Sequence, residues 1–212
     1  MRGPAAINDN LIVIPGKNEL FEKLCEDARE CRICLNLADK TAVLSDLNGN
    51  LDPKVMFVGE APGRVGADRT RRPFYGDKSG ANFQILLDSI GLRREDTFIT
   101  SAVMCSPRSA TDANRRPLRS EIRNCAGFLK RTIELVQPKV IATLGGVALD
   151  ALSLIAYHDL KLKTHAGIIL DWNGLTLLPL YHPSPQVVAS QRGLDLQLRH
   201  FRVLASLIAR GL

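Results

Sequence analysis

Three short apolar runs constrain this chain more than any other feature: KVMFVG (54–59), TFITSAVMC (97–105) and KVIATL (139–144). Each is apolar at nearly every position and too short for a helix, which suits strands buried on both faces. Amphipathic stretches separate them. Asn18 to Arg29 carries Leu20, Phe21, Leu24, Cys25 and Ala28 at helical spacing. Ala81 to Ile90 reads as a helix stopped by Gly91, Leu118 to Val136 as a long helix closed by Pro138, and Arg192 to Ala209 as a final helix. Gly145-Gly146 leads into a further helix from Val147. Segments 167–170 and 175–181 flank Asn173-Gly174, a hairpin signal. Strands alternating with helices predict an α/β fold with a parallel sheet covered on both faces. Such sheets place their sites at the carboxyl ends of the strands. Glu60, Cys105, Gly145 and His182 each follow a strand, so the loops after them should share one mouth.

The chain of 212 residues suits a single domain, 1–212, with residues 1–17 expected to be a flexible N-terminus. Segment 106–116 is the other stretch expected to be mobile. No run of about 18 apolar residues is present, so no membrane partner is expected. The first residues lack a basic start before a long apolar stretch, which makes the cytoplasm the expected location. The formal charge of +6 is modest, and its placement says more. Arg64, Arg69, Arg71, Arg72 and Lys78 form one group, and Arg108, Arg115, Arg116, Arg119 and Arg123 a second. Either alone could be a solvated face; two groups bordering glycine- or proline-rich loops favour a phosphate-facing surface.

Five cysteines, an odd number without a secretion signal, argue against a disulfide framework. Cys31-Arg-Ile-Cys34 is a C-x2-C pair. With Cys105 and Cys125 it offers four thiolates that fit zinc or an iron–sulfur cluster equally on spacing, against the plainer reading of buried inert thiols. Cys25, on another helix face, reads as core.

Gly59-Glu60-Ala61-Pro62-Gly63 ends a strand in a tight turn where glycines let a flat ligand approach the backbone. A surface turn is the alternative. Phe74 and Tyr75, in the run Arg72-Pro73-Phe74-Tyr75-Gly76-Asp77-Lys78-Ser79-Gly80, supply either core filling or a face for a base to stack on. In Tyr181-His182-Pro183-Ser184-Pro185 two prolines stiffen the turn that aims His182. A neutral imidazole there can stabilise negative charge on a leaving group. His158, His165, His200 and Trp172 lack such context and read as structural.

Together, GEAPG, RPFYGDKSG, the four cysteines and HPS resemble the iron–sulfur uracil-DNA glycosylases, families 4 and 5 of that superfamily. GEAPG is similar to family 4, and the run from Gly66 to Gly80 to family 5, so the chain looks like a mosaic. The resemblance implies a three-layer αβα sandwich around a short four-stranded parallel sheet and a [4Fe-4S] cluster on Cys31, Cys34, Cys105 and Cys125. It implies a monomeric enzyme that flips uracil, and other deaminated bases, out of single- or double-stranded DNA and releases it by hydrolysis of the N-glycosidic bond. Asp77, matching the family-5 acid, is favoured over Glu60, matching the family-4 acid, as the main catalytic carboxylate. His182 would stabilise the departing uracil and Phe74 would take its face. Gly59, Ala61, Pro62, Gly63, Tyr75 and Ser184 would border the base. Arg69, Arg71, Arg72, Lys78, Arg108, Arg115, Arg116 and Arg192 would meet the DNA backbone. Ser101 stands where family 4 often has an asparagine that reads uracil, which implies looser discrimination. The loop after Cys105 is longer than the family's usual C-x-P-P-x-N-R-x-P, and Asn114 matches its asparagine, which the resemblance places among the catalytic residues. No histidine lies between Cys105 and Cys125, so ordinary turnover is expected rather than covalent trapping. Two rival readings are a noncatalytic lesion-binding protein and an electron-transfer module.

Overall fold

The computed structural model describes residues 15–211. The N-terminal segment expected to be flexible lies mostly outside these residues; Lys17 already opens a helix. In chain order the helices are α1 (Lys17–Glu30), α2 (Ala67–Thr70), α3 (Lys78–Asp88), α4 (Arg119–Val136), α5 (Gly146–Leu152), α6 (Leu162–His165), α7 (Pro185–Val188) and α8 (Leu194–Ala209). The strands are β1 (Val55–Gly59), β2 (Thr97–Ser101), β3 (Val140–Leu144), β4 (Leu170–Trp172) and β5 (Leu175–Leu180), in the sheet order β2-β1-β3-β5-β4.

Four strands are parallel and β4 alone is antiparallel, so the sheet has one strand more than expected. The extra strand comes from the hairpin. Asn173 (φ 53°) and Gly174 (φ 75°) both adopt the left-handed conformation that a two-residue turn needs, and they fold three residues back along β5.

Side chains alternate between the two faces. Met56, Val58, Ile141 and Leu177 point to a core completed by α1, α4 and α5. Val55, Phe57, Val140, Ala142, Leu144 and Leu178 point to a second core beneath α3 and α8. There Phe57 meets Phe83 edge-on at 5.0 Å, a geometry worth about 1 kcal/mol beyond area burial.

The second strand is shorter than its apolar run. Its ladder ends at Ser101, and the next amides turn to the first loop: Ala102 N–H donates to Gly59 O (2.9 Å) and Val103 N–H to Glu60 O (3.1 Å). The GEAPG turn is thereby fastened to the end of β2. The third helix starts at Lys78 rather than Ala81, because Asp77 caps it. Among the described residues no helix is long and apolar enough to cross a membrane.

Candidate active site

A cleft of about 970 Å³ opens at the carboxyl ends of β1, β2, β3 and β5. Glu60, Ala61, Pro62, Gly63, Phe74, Asp77, Lys78, Ser101, Asn114, Arg116, His182, Ser184 and Arg192 all line it. The strand-end loops therefore do converge on one hollow.

Phe74 sits in a conformation L-residues rarely adopt, φ 48°. Its ring lies between Phe83 (4.9 Å between centroids) and His182 (5.4 Å). Behind it is Gly59, where a Cβ would stand 2.9 Å from the ring edge. Gly59 is thus needed for the ring's closeness rather than for contact with a guest. The loop is held by Arg94, whose guanidinium donates to the carbonyls of Pro73 and Phe74. Strain of this kind persists only where the surroundings fix it.

Asp77 is held through one oxygen by a hydrogen bond and packs the other against glycines. Oδ1 accepts the Gly80 N–H at 2.8 Å, capping α3. Oδ2 lies against the GEAPG loop, where a Cβ on Gly63 would be 3.3 Å away and one on Gly66 would overlap it. Asn114 docks on the same loop: its Oδ1 accepts the Arg64 N–H at 2.8 Å. Glu60 follows β1 on the opposite arm of the loop. Burial raises its pKa above the ordinary carboxylate range, against the opposing pull of Arg116.

His182 follows β5. Asn82 of α3 donates to Pro183 O at 2.9 Å, tying the turn to the same helix that Asp77 caps. Burial pulls the imidazole down to about 4, against the opposing pull of Asp77. At neutral pH the ring is therefore uncharged, with one N–H to donate.

Comparison with known proteins agrees with this geometry. Residues 48–205 match the model of the uracil DNA glycosylase superfamily. The chain belongs to that superfamily. The type-4 uracil-DNA glycosylase of Thermotoga maritima is 36% identical over 170 residues, covering 79% of this chain and 83% of the relative. The type-4 enzyme of Archaeoglobus fulgidus is 32% identical, covering 78% and 82%. The type-5 uracil-DNA glycosylase of Pyrobaculum aerophilum is 34% identical over 157 residues, covering 68% and 67%. Similarity to both types accords with the mosaic of motifs.

Within this superfamily scaffold the arginines divide into two kinds. Arg71 donates to the carbonyls of Thr41 and Ala42 and to Asp68. Arg108 pairs with Asp68 and Asp112, and Arg115 grips both oxygens of Glu121 at 2.6 and 2.8 Å. These three were expected to meet DNA phosphates; their guanidinium groups are braced by partners within the fold, although Arg71 stays 38% exposed and Arg115 also lines the cleft. The same bonds correct the expectation of a mobile segment 106–116. It is a braced hook, closed also by Ser109 N–H to Ala113 O (2.8 Å) and by a bridge between Arg108 and Asn114. Lys78, Arg116 and Arg192 line the cleft itself, and exposed Arg69 reaches only the Gly76 carbonyl, at 3.5 Å. Tyr75 is also displaced from its expected place. It turns away from the cleft, beneath the Arg72 guanidinium, 4.9 Å from the ring centre.

Four cysteines form a family of their own. Cys31 ends α1, Cys34 precedes a short 3-10 turn, Cys105 lies just beyond β2, and Cys125 is on α4. Burial pushes Cys105 up to about 11, with Cys31 and Cys34 adding to it. Burial pushes Cys125 up to about 12, and Cys105, Cys34 and Cys31 add to that. Cys25 is raised by burial to about 11 too, but its charged neighbours are Arg29 and acids rather than thiols. Asn124 Nδ2 donates to Cys34 Sγ (3.4 Å) and Met104 N–H to Cys125 Sγ (3.5 Å), bonds that also suit thiolates. Among the described residues no three metal-ligating side chains converge closely enough for one ion. A four-iron cluster asks for a wider set, because each thiolate binds a different iron. The donor chemistry fits such a cluster.

Arg94 and Asn82, which hold the two aromatic walls of the cleft, were missed in the sequence. Neither lies in a motif, and only the fold shows what each one bonds.

Proposed function

We propose that the protein is a uracil-DNA glycosylase that removes uracil, and other deaminated bases, from DNA by hydrolysing the N-glycosidic bond. The observation that carries the reading is the meeting of Phe74, His182, Asp77 and Glu60 in one cleft. The target nucleotide leaves its stack, at a cost of a few kcal/mol that is smallest in single strands and mismatches. Its base lies along Phe74, bordered by Ala61, Pro62, Gly63, Ser101 and Ser184. His182, neutral, donates to the edge of the base near O2 and stabilises the departing anion. Removal of one such donor elsewhere costs about 3–4 kcal/mol of transition-state stabilisation.

The sugar left behind has oxocarbenium character and needs a carboxylate beneath it. Asp77 is the better fixed of the two, which supports it as the acid that faces the deoxyribose. Glu60, desolvated and close to Arg116, suits the orientation of the attacking water. Asn114 braces the turn between them. Lys78, Arg116, Arg192 and Arg69 meet the phosphates. The products are free uracil and an abasic site. We assign a [4Fe-4S] cluster to Cys31, Cys34, Cys105 and Cys125; it would tie α1 and α4 to the end of β2 and supplies structural cross-linking rather than chemistry. The enzyme acts as a single-domain monomer in the cytoplasm.

The test is incubation with uracil-containing single- and double-stranded oligonucleotides followed by alkaline cleavage of abasic sites. Cleavage at the uracil position is expected. Tight binding without base release, unchanged by Asp77→Asn and Glu60→Gln, would instead favour a noncatalytic lesion-binding protein.

A further inference from the structure

The loop that presents Phe74 to the cleft has a second side. Tyr75, the next residue, lines a separate recess of about 460 Å³ with Arg72, Gln84, Leu92 and Arg94. Tyr75 is 50% exposed, and the Arg72 guanidinium lies over its ring. Arg94 bonds the carbonyls of Pro73 and Phe74 but pairs with no carboxylate among the described residues, and neither does Arg72. Of the other charges here, Arg93 pairs with Asp96 at 2.9 Å, and Asp88 accepts from the neutral amide of Gln84 at 2.8 Å and keeps its charge. Glu95 is the exposed acid at the rim. Burial, and then the nearness of Arg72, lower Arg94 to about 10, against the opposing pull of Glu95.

We propose that this recess binds a phosphodiester of the strand that carries the target nucleotide, with a neighbouring base stacked on Tyr75. The proposal rests on the glycosylase reading, because it takes its ligand from the same strand. Phe74 and Tyr75 are consecutive, their Cα atoms about 3.8 Å apart, and they face opposite sides of one loop. With one ring on each side of the loop, nucleotides two or three steps apart on a strand can occupy both hollows, a reach that a uracil-centred trimer lacks. The exposed aromatic face accepts any base, but only one that has left its own helix. The recess is thus a site for single-stranded flank, and it gives the enzyme a preference for uracil in unpaired DNA.

The test compares wild type with Arg72→Ala, Tyr75→Ala, the double variant and Tyr75→Phe, all as full-length protein with melting temperatures checked. Excision is measured on a uracil-centred trimer and on a single-stranded 15-mer. Binding of a uracil-free 15-mer is followed by fluorescence anisotropy across salt concentrations. The double variant should lose about tenfold in kcat/KM on the 15-mer, through KM, and nothing on the trimer, while Tyr75→Phe stays at wild type. Arg72→Ala should flatten the salt dependence of 15-mer binding by about 0.7 in log–log slope. Equal losses on trimer and 15-mer, or no loss on either, overturn the proposal. So does a variant that loses binding of thymidine monophosphate but holds the 15-mer normally, since the recess then serves free nucleotides. If wild type excises uracil from no substrate yet the double variant still binds the 15-mer more weakly with the flatter slope, the recess stands and the glycosylase reading falls.

Discussion

Gly66→Ala probes the position of Asp77 without touching its charge. Gly66 has φ −99°, on the side of the map that ordinary residues occupy, but its ψ of −111° lies outside the main allowed regions, so the melting curves must separate any backbone cost from the displacement of Asp77. The new Cβ would overlap Asp77 Oδ2 and stand 2.7 Å from Cγ, where ordinary contact begins at 3.4 Å. The carboxylate must retreat by on the order of 1 Å, and a misplacement of that size costs about 10²-fold in rate at a reacting centre. It cannot retreat freely, because Oδ1 is tied to the Gly80 N–H. Losing that cap costs about 1 kcal/mol, or about 2–4 °C in melting temperature for a chain of this size. The assay is single-turnover excision from a uracil oligonucleotide, with melting curves alongside. A fall of about a hundredfold is expected in a protein still folded well above the assay temperature. The decisive arm is the double variant: once Asp77→Asn has removed the charge, Gly66→Ala should add little. Full activity in Gly66→Ala, or full additivity with Asp77→Asn, would show that the rate does not depend on where this carboxylate lies.

Glu60, His182 and the four cysteines each give further outcomes. Glu60 is raised by burial, so wild-type activity should fall as pH drops through that raised value; Glu60→Gln should lose this acid limb, as a pH–rate profile will show. Because a raised pKa favours the folded state at low pH and that benefit is lost as pH rises, Glu60→Gln should also melt higher than wild type at pH 8 and alike near pH 4. His182 runs the other way. Its drop from 6.5 to about 4 means the unfolded chain takes up the proton first, so stability falls by up to about 3 kcal/mol as pH goes from 6.5 to 4; urea melts of His182→Gln should lack that component. Protein purified without oxygen should be brown and carry about four irons and four sulfides per chain; Cys34→Ser should lose both. A colourless protein with one bound zinc would overturn the cluster.

The strands were legible because burial on both faces leaves them apolar throughout, so Val55–Gly59 and Val140–Leu144 stand out from any neighbour. Their ends were less legible. Ala102, Val103 and Met104 are as buried as the strand before them, yet their amides bond the end of β1, the Glu60 carbonyl and Cys125 Sγ in turn, and hydrophobicity cannot tell those fates from a continuing ladder. The start of α3 was missed for the converse reason. Lys-Ser-Gly looks like loop, and only the carboxylate of Asp77 on the Gly80 N–H makes it a first turn. The hairpin could be read from Asn173-Gly174, since few other residues accept two successive positive φ angles, but a three-residue strand has too little pattern to declare itself.

The candidate site divides along the same line. Gly59, Gly66, Phe74, Asp77 and His182 belong to motifs whose spacing reflects contact within a few residues of a strand end, and spacing survives in sequence. What an arginine does depends on partners far along the chain. Arg108 reaches Asp68 across 40 positions and Arg71 reaches Ala42 across 29. Composition therefore overstates the cationic surface, since several of the charges that suggest a phosphate-binding face are neutralised inside the fold. The cations that line the cleft without a salt bridge among the described residues, Lys78, Arg116 and Arg192, come from the start of α3 and from two separate loops. Their agreement on one hollow is a property of the parallel sheet, which delivers every strand end to the same edge, and that is why the topology carries more of the functional argument than the net charge does.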